Sequence, residues 1–234
     1  VTMPRISAAT NAAQRENTKR AILNSFGEIL YTRGLPGLTM TDVAKNAGIG
    51  RTAVYNYFAD MGELLVAYAL DETGRFLKEL REGLEGIENP IDQLAVYIRL
   101  QINDLARRHL PPGPAMRSML SPESYAKLGK HVQELQMVLA NILSAAIAEK
   151  YIPQNDIREL AMLVHGSLSS SAGRTEDAPD EQTREHQILN TIRFIQMGLG
   201  ARFDTEGNPV RLDSEELAPQ LTLAQDDSGQ KDAA

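Results

Sequence analysis

The chain has no cysteine among its 234 residues. Disulfides and thiolate metal sites are therefore excluded, and a reducing, cytoplasmic compartment is the expectation. No apolar run approaches the ~18 residues of a membrane span, so no membrane partner is expected. The polar opening stretch, VTMPRISAATNAAQRENTKR, does not read as a secretory leader. Sustained strand-type alternation is also missing, as is any internal repeat. The signatures of catalysis are absent too: there is no glycine-rich phosphate loop, no pair of histidines four residues apart, and no nucleophile with a partnered base. The serines at 169–171 read as small packing residues. No enzyme activity and no cofactor are therefore expected. The four scattered histidines, His109, His131, His165 and His186, form no recognisable ligand set. They leave open only a metal-responsive variant in which some of them join a carboxylate.

What is present is an uneven charge. The net charge is −7, yet residues 1–58 hold seven basic side chains (Arg5, Arg15, Lys19, Arg20, Arg33, Lys45, Arg51) against three acidic ones (Glu16, Glu28, Asp42). This part is +4 and the remainder −11. A basic head on an acidic body points to a polyanionic partner for the head.

A period of 3.6 residues recurs along the chain and predicts an all-α protein. A first helix is expected over about 17–32, with Ile22, Phe26, Ile29 and Leu30 as its apolar stripe and Gly34 as its stop. Short helices follow at 39–47 and 51–58, then longer ones from about 60, at 91–109, from 121 to about 151, at 155–173 and at 184–200. Thr39 with Asp42 resembles a capping box, and Ser121-Pro122 a helix start. Residues 1–16 read as a flexible basic arm and 204–234 as a disordered acidic tail.

Residues 39–58 carry the most chemistry. Gly48 sits where a left-handed residue would turn the chain sharply between two short helices, as in a helix-turn-helix. Val43, Ala44, Ala47, Ile49, Val54 and Phe58 supply the apolar lock. If Val54 faces inward, Thr52 and Asn56 lie 200° away and face outward, at 100° per residue. The exposed face then offers donors, acceptors and phenolic hydroxyls. Asn reads adenine bidentately, and Arg reads guanine or pairs with phosphate. Thr39, Lys45, Arg51, Thr52, Tyr55, Asn56 and Tyr57 are the candidate DNA-binding residues.

The string AILNSFGEILYTRGLPGLTMTDVAKNAGIGRTAVYNYFADMGELL carries Phe26, Gly34, Thr39, Val43-Ala44, Ala47-Gly48-Ile49, Tyr55, Phe58 and Leu64 in register. It resembles the DNA-binding domain of the TetR family of transcriptional repressors over about 18–65. Two positions depart from the family's habit. Gly50 stands where Ser or Thr often caps the third helix, a cap weaker by tenths of a kcal/mol. Met61 stands where Lys often reaches a phosphate. More of the phosphate clamp then falls to Thr39, Lys45, Tyr57 and the arm.

The resemblance implies a helix-turn-helix domain at 17–60 and a helical ligand-binding and dimerisation domain at 61–203. It implies a homodimeric repressor bound to double-stranded operator DNA and released by a small-molecule effector. On spacing alone, the stripe Leu160, Leu163, Val164, Leu168, Ile188, Ile192, Ile195 and Leu199 suits either internal core or a dimer seam; the resemblance favours the seam. Candidate effector-lining residues are Tyr97, Gln101, Leu105, Met116, Met119, Leu120, His131, Leu135, Val138 and His165. Methionine suits an adaptable apolar pocket, so a small, largely apolar or aromatic effector is expected. The alternatives are a metal-responsive repressor of the same fold and a helical protein-interaction module without DNA binding. The second would need neither the basic head nor the outward Thr/Asn/Tyr face.

Overall fold

A computed structural model describes residues 8–107, 116–117, 120–214 and 216–217. Its helices are α1 (Ala8–Arg33), α2 (Met40–Asn46), α3 (Arg51–Tyr55), α4 (Met61–Leu84), α5 (Pro90–Arg107), α6 (Pro122–Ala148), α7 (Ile157–Glu176) and α8 (Glu181–Gly198). Two short strands follow, β1 (Arg202–Phe203) and β2 (Pro209–Val210). They pair antiparallel, Arg202 with Val210 and Phe203 with Pro209.

Local chemistry sets most of the helix ends. Gly34, at φ +71°, stops α1 in the left-handed region that glycine enters at no steric cost. The Asp60 side chain accepts the Glu63 N–H (2.8 Å) at the start of α4. Asn89 accepts from Ile91 N–H (2.8 Å), with Pro90 at the first helical position. Ser121 accepts from Ser124 N–H (3.1 Å) before α6. Asp156 and Asp180 cap α7 and α8.

The chain divides into two compact units, 1–85 with 100–137, and 86–99 with 138–234. The first is larger than a 17–60 domain because its core takes in α4 and the start of α6. Ile22, Phe26, Leu30, Val43, Val54, Leu64 and Leu65 are buried together, joined by Tyr68, Leu120 and Leu128. Full burial of each aliphatic side chain stabilises by about 1.5–3 kcal/mol. The Ser25 hydroxyl donates to the Val43 carbonyl (3.0 Å) and ties α1 to α2. Phe26 and Tyr68 meet edge to face, centroids 5.3 Å apart. That approach of α4 to α1 needs Gly27, where an added Cβ would lie 2.9 Å from the Tyr68 ring. Gly27→Ala is therefore expected to destabilise by about 1 kcal/mol, because an overpacking cost of about 1–3 kcal/mol exceeds the roughly 1 kcal/mol gained in helix propensity. The urea midpoint reads this; an increase would show that the ring yields freely.

In the second unit α7 and α8 pack along one another. Leu160, Val164, Leu168, Ile188, Ile192 and Ile195 are buried within the chain. These six are therefore part of the chain's own core, while Leu163 of the stripe is exposed and Leu199 half-buried. The Ser171 and Thr191 hydroxyls lie 3.1 Å apart between the two helices. Gln196 Nε2 donates to the Ile91 carbonyl (3.0 Å), fixing α8 to α5.

Arg99 on α5 donates two hydrogen bonds to Glu185 on α8 (2.6 and 2.7 Å). They hold the Glu185 carboxyl below its usual range and raise Arg99. The stabilisation is full above the unfolded carboxylate's pKa, ~4.3, and is lost as pH falls through the lower folded value. Both side chains are more than a third exposed, so the pair contributes less than about 1 kcal/mol. Glu185→Gln should lower the urea midpoint at neutral pH and converge with wild type at the acid end. A gap that persists in acid would contradict this account.

Three further boundaries differ from expectation. Helix α1 begins at Ala8, inside the expected arm, because Ala12, Ala13, Gln14, Arg15 and Glu16 are strong helix formers that need no apolar stripe. The linker between α7 and α8 is short because Arg174–Glu176 continue α7 and Glu181 opens α8. Residues 204–214 are not a disordered tail. Asp204 accepts the Glu206 and Asn208 N–H groups in the hairpin turn, and buried Leu212 donates its N–H to the Lys150 carbonyl (2.7 Å). Arg5 and residues 218–234 lie outside the described residues.

Candidate nucleic-acid interface

Helices α2 and α3 are joined by Ala47–Gly50, with Gly48 at φ +67°. The Ile49 N–H reaches the Ala44 carbonyl (3.0 Å), so the turn closes on α2 itself. Val54 is 0% exposed and Phe58 is buried beside it. Arg51, Thr52, Tyr55 and Asn56 are exposed, with Thr52 and Asn56 on the side opposite Val54. The α-helical span ends at Tyr55, shorter than the expected 51–58. Asn56 stays in the right-handed helical region as the C-cap, and Phe58 N–H still bonds to the Val54 carbonyl (3.1 Å), so the side chains keep helical spacing. Gly50 provides no side-chain cap.

Thr39 forms a complete capping box. Its hydroxyl accepts the Asp42 N–H (3.2 Å) and donates to Asp42 Oδ2 (2.7 Å), while its own N–H also donates to Oδ2 (3.0 Å). These bonds, the hydroxyl's first, hold the Asp42 carboxyl below the usual carboxylate range. A phosphate at Thr39 must compete with Asp42 for the hydroxyl proton. Lys45 is exposed in the last turn of α2. Asn46 Nδ2 donates to Glu28 Oε2 (2.9 Å), bracing α2 on α1. Tyr57 is half-buried against the core. The surface around α3 therefore combines a braced backbone with unburied donors and acceptors, as base-edge and phosphate recognition requires.

The effector candidates fall in both units. Gln101, Leu105, Met116, Leu120 and Leu135 belong to the first, Tyr97, Val138 and His165 to the second. Leu120 and Met116 pack with the core of the first unit. Leu105, Leu135 and Val138 are half-buried. Met119 and the side chain of His131 lie outside the described residues. Tyr97 and Gln101, a turn apart on α5, are buried. The Tyr97 hydroxyl and Gln101 Oε1 have no hydrogen-bond partner among the described residues, nor does His165 Nε2. Burial pushes the Tyr97 hydroxyl's pKa up and His165's down. Three grooves lined by described residues contain none of the ten candidates. Among the described residues no three His, Asp or Glu come together as a metal site, and no helix is long and apolar enough to cross a membrane.

Sequence reasoning named Leu163 but missed the other exposed apolar side chains of α7 and α8: Met162, Leu189, Phe194 and Met197. Phe194 is 70% exposed and stands between two grooves. One is polar, with Ser167, Ser170, Arg174, Gln187 and Asn190; the other is apolar, with Leu160, Leu163, Val164, Ile195 and Leu199. The Phe194–Met197 spacing was the available signal.

The family model described as bacterial regulatory proteins, tetR family, matches residues 22–68, which span α2, the Gly48 turn and α3. Solved structures resemble the fold along most of the chain. The fatty acid degradation regulator FadR from Bacillus halodurans is 18% identical, with 79% of this chain and 97% of that one covered at a TM-score of 0.65. FadR from Bacillus subtilis, solved in complex with stearoyl-CoA, is also 18% identical, with 76% and 98% covered at 0.64. The TetR family transcriptional regulator PfmR from Thermus thermophilus is 19% identical, with 76% and 98% covered at 0.62. The fold is all-α, an N-terminal helix-turn-helix domain followed by a C-terminal helical domain, and the matched domain is that of DNA-binding regulators rather than enzymes. Residues 22–68 thus form a helix-turn-helix domain of the kind found in the tetR family of bacterial regulatory proteins.

Proposed function

We propose that the protein is a cytoplasmic, homodimeric repressor that binds a near-palindromic operator and leaves it when a small, largely apolar or aromatic effector binds. The observation that carries this reading is the exposure of Arg51, Thr52, Tyr55 and Asn56 along α3 and its C-cap, with Thr52 and Asn56 opposite fully buried Val54. Thr52 and Asn56 read base edges. Lys45, Tyr57 and Arg51 hold phosphates, and Thr39 positions α2. The apolar face around Phe194 receives a second copy, as a ridge between two grooves is self-complementary about a two-fold axis.

For the effector, the polar anchor is the Tyr97 hydroxyl, buried and without a hydrogen-bond partner among the described residues. A buried polar atom without a partner costs roughly 1–3 kcal/mol, and a ligand's polar group relieves that cost. The stearoyl-CoA bound to one similar structure makes long-chain acyl-CoA a member of the first effector screen. Tyr97→Phe should raise the melting temperature of the free protein and weaken its effector. A lower melting temperature would mean that the hydroxyl is already satisfied.

The test of the function is to sequence DNA fragments that co-purify with the protein. Recurrent fragments sharing one sequence are expected. Recovery indistinguishable from bulk genomic DNA would overturn the reading.

A further inference from the structure

Residues 11–17 of α1 are all exposed, and Ile22 is the first buried side chain among those described in the helix. A helical stretch that is polar all round has no packing reason to be where it is. The Arg15 guanidinium lies over the Tyr57 ring, 5.6 Å from its centroid. Tyr57 is itself anchored, half-buried against the core, with its N–H bonded to the Val54 carbonyl (2.9 Å). A long exposed side chain is thus set against a fixed aromatic platform at the end of α3.

We propose that Arg15 and Tyr57 form one preassembled binding unit for a backbone phosphate of duplex DNA, which makes the N-terminal turns of α1 part of the DNA interface. The inference rests on the DNA-binding reading above and adds a site to it. A guanidinium stacked on a ring uses its face and leaves its N–H edge free to form a bidentate fork on phosphate. The phenolic hydroxyl is a further donor on the same platform. Arg15 has no carboxylate partner among the described residues, so no ion pair must break when phosphate arrives. Lys19, four residues on and also exposed, continues the same helical face.

The test uses the full chain and a random-sequence duplex pool, titrated over a series of salt concentrations. Arg15→Ala should weaken binding about tenfold and reduce the slope of log affinity against log salt by about one phosphate contact. Arg15→Lys should keep the slope and still lose affinity severalfold, because an ammonium cannot both stack and fork. In a Tyr57→Leu background Arg15→Ala should have little further effect. In a Tyr57→Phe background, where the platform stays, it should keep its full effect, which also covers the case of a Tyr57→Leu variant that fails to fold. Unchanged affinity and slope for Arg15→Ala, wild-type behaviour of Arg15→Lys, or an undiminished Arg15→Ala effect on Tyr57→Leu would each overturn the proposal alone. A wild-type protein that binds no duplex would overturn it together with the reading it rests on.

Discussion

Reversing two charges, Lys45→Glu with Arg51→Glu, is expected to remove duplex binding, lowering affinity by about a thousandfold or more at moderate salt. Each reversal deletes a phosphate contact and places a like charge near the backbone, a juxtaposition that costs several kcal/mol. The fold should be untouched, because both side chains are exposed and neither closes an ion pair among the described residues. Asn56→Ala and Thr52→Ala should act differently. They should relax base preference by about 1–3 kcal/mol per good contact while leaving affinity for random duplex nearly intact. Fluorescence anisotropy on selected and random duplexes separates the two effects. A double reversal that still binds would remove the head from the DNA interface and leave the helical interaction module as the better account.

Phe194→Glu is expected to convert a dimer into a monomer. Phe194, Met162 and Leu163 are 70%, 69% and 62% exposed, and Phe194 and Leu163 line one apolar groove; large exposed apolar side chains grouped in this way mark an interaction surface. A carboxylate at its centre must be desolvated without a partner when a second copy docks. Two half-sites held by one dimer gain affinity from effective concentration, so operator affinity should fall by about a hundredfold alongside the loss of the dimer. Binding of a single half-site should survive weakly. Sedimentation at fixed concentration reads the first effect, and a persistent dimer would place the interface elsewhere.

The helix-turn-helix was legible because its signals are local. The Thr39–Asp42 cap, the left-handed Gly48 and the inward Val54 each act within a few residues, and each sits in the structure as its chemistry demands. The stripe on α7 and α8 was legible only in part, for the opposite reason. Periodicity marks Leu160, Val164 and Leu168 as needing cover, but not whether that cover is α8 or a second copy. Leu120 and Leu128 could not be assigned to the core of the first unit, since nothing in so distant a stretch of sequence announces that contact. The early start of α1 was hidden because a polar helix has no apolar face to register. The hairpin at 202–210 was hidden because two-residue strands show no alternation. Arg15 was visible only as one charge of a basic arm; its seat on Tyr57 depends on where α1 points.

The effector end of the account rests on fewer residues. In the sequence Tyr97 and Gln101 are two of ten candidate lining residues. Their burial without partners among the described residues is what distinguishes them from Leu105 or Val138. Helix α5 carries both, and between them it bears Arg99, clamped to Glu185 on α8. An effector that shifts α5 therefore acts on a helix fastened to the one that carries the proposed dimer face. It favours release only if it binds the DNA-incompetent state more tightly.

The central claim is that two copies of α3 read two half-sites. Selection of bound duplexes from a random pool by the wild-type protein tests it most directly. The account predicts enrichment of an inverted repeat whose half-sites lie about one helical turn, ~34 Å, or a multiple of it apart. Enrichment of a lone half-site, or of no common sequence, would contradict it.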